Sequence, residues 1–332
     1  VPTFRTGTVT GLLEERPGLQ RVATDLGRAY ALTQLTGRVA VGDRVVLNTT
    51  AVDLVLGTGG WHVVHWNTAR DGFTEPGPGH IMKLRYTSLQ VDAGSTEEHD
   101  PGTGTDLGAM PVVVGSLHSQ VPGVAVAIRA ARPDARIAYV MTDGAALPLV
   151  ISDLVDAMTR VGLIDATITA GHAFGGDLEA VSVPSALALA RHVTHADVTI
   201  VAMGPGVVGT SSPLGTTALE VAGVLDVAAA LGGRPIAVLR MSDGDARVRH
   251  QGVSHHSRTA LDLTRSPVLV AAPHEGAYEH DRHDVRVVEG PDVPALLDAI
   301  GVRVTTMGRG PAEDPLFFRA TASAGALAAI LL

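Results

Sequence analysis

From about residue 110 the chain alternates between short runs that are apolar apart from Thr167, Thr169 and Thr199, and stretches whose apolar side chains recur every three or four positions. The runs fall at 112–114, 137–141, 166–169, 198–203, 236–239 and 268–271 and are rich in Val and Ile. Continuous β-branched runs of this length are the mark of strands covered on both faces. Between them Val121, Val124, Ala125 and Ile128 share one helical face, as do Val150, Ile151, Leu154, Val155 and Met158. Leu219, Val224, Leu225, Ala228 and Leu231 follow a looser version. This alternation predicts βαβ units, hence an α/β fold with a doubly wound, mostly parallel sheet. A strand at 285–288, a helix at 291–300, a strand at 302–305 and an Ala-rich helix from 313 to 332 are expected to complete residues 110–332.

The first 67 residues have a different rhythm. Short strand-like stretches at 7–13, 20–24, 30–32, 44–47, 52–56 and 61–66 are separated by turn signals at 42–43 and 57–60. Such spacing predicts a small β-barrel of the OB or SH3-like kind. His62 and His65 lie three apart on one strand and so face opposite ways, a structural or exposed pair. Residues 68–109 read as a long connection with one strand at 81–89 and a mobile acidic, Gly-rich stretch at 92–108.

In an open parallel sheet all strands end on one edge, and ligands bind outside those carboxyl ends. The loops expected there carry the unusual residues: Ser116, His118 and Ser119; Thr142, Asp143 and Gly144; Gly171, His172, Gly175, Gly176 and Asp177; Gly204, Gly206, Gly209 and Thr210; Ser242, Asp243, Gly244 and Asp245. His118, Asp143, His172 and Asp177 are candidate acid–base residues. His118, His172, Asp177 and His255 are candidate ligands for a divalent metal, although their spacing matches no zinc motif.

Gly204, Gly206, Gly209, Thr210 and Thr216 are candidate anion-binding residues before a helix N-terminus. Gly204, Gly206 and Gly209 also match G-x-G-x-x-G, but Pro205 and Pro213 interrupt it and Asp243, the acid expected at the end of the next strand, comes too late for a standard unit, so a dinucleotide site is not the preferred reading. No G-x-x-x-x-G-K-[ST] and no G-x-S-x-G occur, which argues against a Walker-type NTPase and a serine hydrolase.

Composition narrows the function classes. The 332 residues are 45% hydrophobic but only 3% aromatic, with a net charge of −9, which suits an aliphatic core and argues against nucleic acid or an anionic membrane as partner. The absence of Cys rules out disulfides, thiolate metal sites and a cysteine nucleophile, and fits the cytoplasm. No signal peptide is expected from the first residues. Lys83 is the single Lys among 25 basic residues. Where Arg is otherwise universal, a surviving Lys marks a position that needs a compact charge able to lose its proton, or else a solvated strand residue.

Several motifs resemble one bacterial family known only as a domain of unknown function: GHIMKLRYT at 79–87, TDGAALP at 142–148, GHAFGGD at 171–177, GPGVVGT at 204–210 and TMGRG at 306–310. The resemblance spans nearly the whole chain and implies a soluble bacterial protein with no activity to carry over. The residues themselves favour an enzyme acting on a small anionic metabolite, with His118, Asp143, His172, Asp177 and Lys83 as its chemical groups. The alternative is a non-catalytic binding or sensor module in which the barrel serves a partner or a second copy, a homodimer.

Overall fold

The computed structural model describes residues 1–56, 59–99 and 104–332. It divides into two compact units, Val1–Gly94 and Ser95–Leu332. The turn expected at 57–60 and the stretch expected at 92–108 therefore lie partly outside the described residues.

The first unit holds β1 (Phe4–Arg16), β2 (Leu19–Thr24), β3 (Gly27–Leu32), the helical turn α1 (Thr33–Thr36), β4 (Arg44–Asn48), the helical turn α2 (Thr50–Asp53) and β5 (Trp61–Asn67). The five strands close into a barrel in the order β1-β2-β3-β5-β4, with β4 pairing back on β1. Alternate residues point inward, so Val22, Ala29, Ala31, Val45, Leu47 and Val64 fill the interior while their neighbours face out. The register of β1 shifts between Val9 and Gly11 and again between Leu12 and Glu14, bending the strand as closure requires. A strand was expected at 52–56, but α2 and a left-handed Val55 (φ 55°) occupy that stretch. The expected strand at 81–89 shrinks to β6 (Met82–Lys83), paired with β7 (Val91–Asp92), because Leu84 (φ 53°) and Tyr86 (φ 63°) break the extended run.

The second unit contains β8 (Pro111–Val114), α3 (Val121–Ala131), β9 (Ile137–Thr142), α4 (Asp153–Arg160), β10 (Ala166–Ala170), β11 (Leu178–Ala180), α5 (Val183–His192), β12 (Val198–Met203), α6 (Glu220–Ala230), β13 (Arg234–Val238), β14 (Met241–Ser242), β15 (Gly252–Val253), α7 (His255–Leu263), β16 (Leu269–Ala272), β17 (Asp284–Val287), α8 (Val293–Ala299) and α9 (Pro315–Leu331). Eight strands form one sheet in the order β11-β10-β9-β12-β8-β13-β16-β17, and every pairing in it is parallel. β14 and β15 make a separate antiparallel pair. No strand forms at 302–305, which runs as irregular chain.

Both sheet faces are covered. Val113, Ile137, Tyr139, Met141, Ile200 and Ala202 pack against side chains of α3, α4, α8 and α9. Their neighbours Val112, Val114, Ala138, Val140 and Val201 pack against α5, α6 and α7 on the other face. This two-sided burial is why the strands read as nearly unbroken apolar runs. α3 and α9 meet closely: a Cβ on Gly325 would press into the carbonyl oxygen of Val124. Gly325→Ala should therefore cost about 1–3 kcal/mol, and urea unfolding showing no loss would refute this packing.

The strand order creates one topological switch. β9 leaves through α4 on the first face to reach β10, and β12 leaves through α6 on the opposite face to reach β13. Since β9 and β12 are adjacent, their connections part in opposite directions, which makes the carboxyl ends of these two strands the switch point of the sheet.

Candidate functional site

Backbone hydrogen bonds join the loops at this edge in the same order as their strands. Phe174 N–H, after β10, donates to Leu147 O at 3.0 Å, and Leu149 N–H donates back to Phe174 O at 2.9 Å. Ala146 N–H then donates to Pro205 O, after β12, at 3.0 Å. A Cβ on Gly204 would lie 2.5 Å from Ala146 O, so only glycine allows that approach. Gly206 follows with φ 108°, a conformation that a side chain would strain.

Within this frame the Asp143 carboxylate accepts from His172 N–H at 3.0 Å. Asp143, His172 and Gly206 are thus carried by loops that touch one another. Glu220, the first residue of α6, joins them: its Oε1 accepts from Thr142 Oγ1 at 2.6 Å. Burial raises its carboxyl to about 6; the Thr142 hydrogen bond opposes the rise and the Asp143 charge adds to it. Sequence reasoning missed Glu220 because an acid in the first turn of a helix reads as an ordinary favourable dipole interaction. Its proximity to Thr142 comes from the crossover geometry.

Several expectations need correction. His118 lies at the carboxyl edge but is almost fully buried, with Nδ1 3.1 Å from Tyr139 Oη and Nε2 2.7 Å from Ser152 Oγ. Ser152 caps α4 by accepting from Val155 N–H. Burial drives the His118 pKa down to about 4. With both nitrogens engaged and the ring neutral, His118 joins β9 to α4 rather than serving as a base or metal ligand. Asp177 leaves this edge altogether. The loop after β10 runs back along the strand, and the Asp177 carboxylate accepts from Thr167 N–H and Thr167 Oγ1, both at 2.8 Å, near the amino end of β10. Thr210 and Thr216 turn their hydroxyls inward, donating to Gly215 O at 3.2 Å and Val208 O at 2.9 Å, so these hydroxyls brace the loop. Lys83 belongs to the other unit, on β6, and is 1% exposed, which does not fit a solvated strand residue.

The expected metal set of His118, His172, Asp177 and His255 therefore does not assemble. His255 instead meets His250 and His256. The β14–β15 pair turns the chain back and brings His250 beside the first turn of α7. One ring nitrogen from each of the three lies within 4.8 Å of the others. Burial, reinforced by neighbouring arginines, pushes His250 down to about 3 and lowers His255. Burial and the neighbouring His255 push His256 down to about 4. The rings are thus neutral near pH 7. The signal available in the sequence is the H-x-x-x-x-H-H spacing around Gly252 and the capping Ser254, of which only His255 stands among the candidate metal ligands.

This cluster flanks the same loop as Glu220. A Cβ on Gly209 would lie 2.7 Å from His256 Cε1, while Thr217 and Leu219 in the same segment lead directly into Glu220. Beside the cluster is a buried ionic network. Asp245 accepts from Arg247 Nε and Nη2 at 2.9 and 2.7 Å, with Arg309 at 3.4 Å and Arg240 at 3.8 Å. These contacts, above all the Arg247 hydrogen bonds, hold the Asp245 carboxyl well below the usual range. The loop 204–219 consequently has an acidic side, with Asp143 and Glu220, and a side at Gly209 that faces the His256 imidazole.

No helix among the described residues is long and apolar enough to cross a membrane. No curated protein and no solved structure matches the chain. One family model does, over residues 28–325, spanning part of the barrel, the connection and nearly all of the parallel-sheet unit. With that match covering most of its length, the chain belongs to the family described as "Protein of unknown function (DUF3866)".

Proposed function

We propose that this chain is a bacterial cytoplasmic enzyme acting on a small phosphate- or carboxylate-bearing metabolite at the switch point of the sheet, with Glu220 as the proton-transferring group. The observation that carries the reading is the Glu220 carboxyl, partly buried against Thr142 and raised to about 6 beside Asp143. A carboxyl held there costs stability, and a proton-transfer site near neutral pH is what such a cost serves. Asp143 and His172 stand beside it. The backbone of Gly204, Gly206 and Gly209 and the arginines beyond the loop supply the anion's partners. The fit to a hydrolase or transferase comes from this acid–base character. A binding or sensor module would use the same loop without turnover.

A thermal-shift screen of phosphorylated and carboxylated metabolites, followed by product analysis, separates the two. A stabilising ligand should be converted, and Glu220→Gln should slow conversion about 10²–10⁴-fold while retaining binding. A ligand released unchanged supports the sensor. Conversion untouched by Glu220→Gln refutes the assignment of Glu220.

The substitution also has a ligand-free signature. Folded Glu220 takes up its proton near 6 and the unfolded residue near 4.5. Its contribution to stability is therefore full below 4.5 and falls by about 2 kcal/mol as pH rises through 6. Glu220→Gln should be more stable than the parent at pH 7, by up to that amount less the weakened Thr142 bond, and closer to the parent's stability at pH 4. Equal differences at both pH values would show that the carboxyl is not perturbed.

A further inference from the structure

Two buried ring nitrogens, Nε2 of His255 and Nε2 of His256, have no hydrogen-bond partner. Leaving such atoms unpaired costs about 1–3 kcal/mol each, and a buried polar group without a partner calls for an explanation. They belong to one cluster. Ring centroids are 5.1 Å apart for His250 and His255, 5.0 Å for His250 and His256, and 4.2 Å for His255 and His256.

These distances discriminate between ligands. A metal bound by three imidazoles at about 2.0–2.1 Å lies roughly 3 Å from each ring centre, which puts the centres about 5 Å apart in tetrahedral geometry. Two of the three pairs already have that spacing, and the third needs to open by about 1 Å. Three imidazole N–H groups donating to a phosphate-sized anion would stand on the order of 8 Å apart. The cluster is too tight for an oxyanion and close to the size for an ion.

We propose that His250, His255 and His256 form a binding site for one divalent transition-metal ion, zinc in the first instance, with a fourth position open to water. The set is all nitrogen, which suits zinc over magnesium or calcium. Ser254 Oγ lies 2.8 Å from His250 Nδ1, orienting that ring and leaving its Nε2 for the ion, and the same oxygen accepts from His256 N–H at 3.3 Å. Gly209 keeps the neighbouring loop clear of the site, since a Cβ there would lie 3.1 Å from His256 Nε2. Arg240 Nη1 lies 3.4 Å from His256 Nδ1. Metal binding through Nε2 places the proton on Nδ1, so this contact is given up and Arg240 keeps its existing pair with Asp245, 3.8 Å away. The inference goes beyond the enzyme reading and stands if Glu220 proves inert.

The test uses untagged full-length protein stripped with EDTA. Zinc is titrated against a chromophoric chelator, and cobalt(II) is added separately for its absorption spectrum. One equivalent should bind, with the intense visible bands of tetrahedral cobalt. His255→Gln and His256→Gln should each weaken zinc binding about 100-fold or more, and Gly209→Ala should weaken it less. His274→Gln, altering an exposed histidine elsewhere, should leave the titration unchanged. Failure of the parent protein to hold stoichiometric zinc overturns the proposal, as does binding unaltered in both histidine variants. Stabilisation by inorganic phosphate in place of zinc would also overturn it. If the variants do not fold, zinc-edge X-ray absorption of the parent counts the ligands directly, and fewer than three imidazoles would refute the site.

Discussion

Acidification from pH 7 to pH 4 in the presence of EDTA is expected to destabilise the Ser95–Leu332 unit severely, with most of the loss below pH 6.5. His118 takes up a proton near 6.5 in the unfolded chain but only near 4 when folded. Between those values protons bind the unfolded state preferentially, so this contribution is complete above 6.5 and lost as the pH falls towards 4. It amounts to about 3 kcal/mol. His250 and His256, pushed down to about 3 and 4, act in the same direction. Glu220 opposes them by about 2 kcal/mol over part of the range. The histidines outweigh it, and their combined loss is a large part of the roughly 5–15 kcal/mol that holds a typical domain folded. Urea midpoints at pH 7, 6, 5 and 4 should fall steadily, and His118→Gln should flatten the slope. Midpoints constant down to pH 4.5 would mean that these rings are not held neutral.

Asp314→Ala should be among the most damaging single substitutions in the chain. Asp314 is 0% exposed. Its carboxylate accepts from Ser242 Oγ at 2.7 Å, Asp243 N–H at 3.1 Å, Gly244 N–H at 3.4 Å and Arg309 Nε at 2.9 Å. Removing it leaves the Arg309 guanidinium without this partner and two backbone N–H groups without this acceptor, at a cost of about 3–5 kcal/mol. For a unit of this size the melting temperature should fall on the order of 10 °C. Asp314→Asn keeps an acceptor in nearly the same place and should cost less. Calorimetry showing a small shift for Ala, or equal shifts for both, would contradict a charge-dependent anchor. Because the network joins β14 and the loop after it to the start of α9, the damage should be global.

The parallel sheet was legible because burial on both faces leaves an unambiguous mark: 198–203 is apolar at every position but Thr199, and it becomes β12 at the centre of the sheet. The barrel strands were legible from their spacing and turns. The short edge strand β11 was not, because Leu178–Ala180 follows a Gly-rich loop and is too brief to show a period. The strand expected at 81–89 failed because left-handed backbone at Leu84 and Tyr86 leaves no mark in hydrophobicity. Among candidate site residues, Asp143, His172 and Gly206 were named for their position after strands and lie on loops that touch one another, whereas His118 and Asp177 share that position but have structural partners. Position after a strand places a side chain near the edge but does not say which way the loop then runs.

The sequence by itself determined the layered α/β architecture, the small barrel before it and the chemical inventory of the edge loops. These depend on local periodicity and residue type, which short windows contain. Only the tertiary structure decided which titratable groups meet. Glu220 reaches Thr142 because the β12 crossover returns α6 beside the loop after β9, and His250 reaches His255 and His256 because β14 and β15 pair. Protonation likewise depends on three-dimensional surroundings: burial raises Glu220 towards neutrality and holds His118, His250 and His256 below it. A residue's identity sets its ordinary pKa, but the desolvation and the charges that move it come from segments distant in the chain.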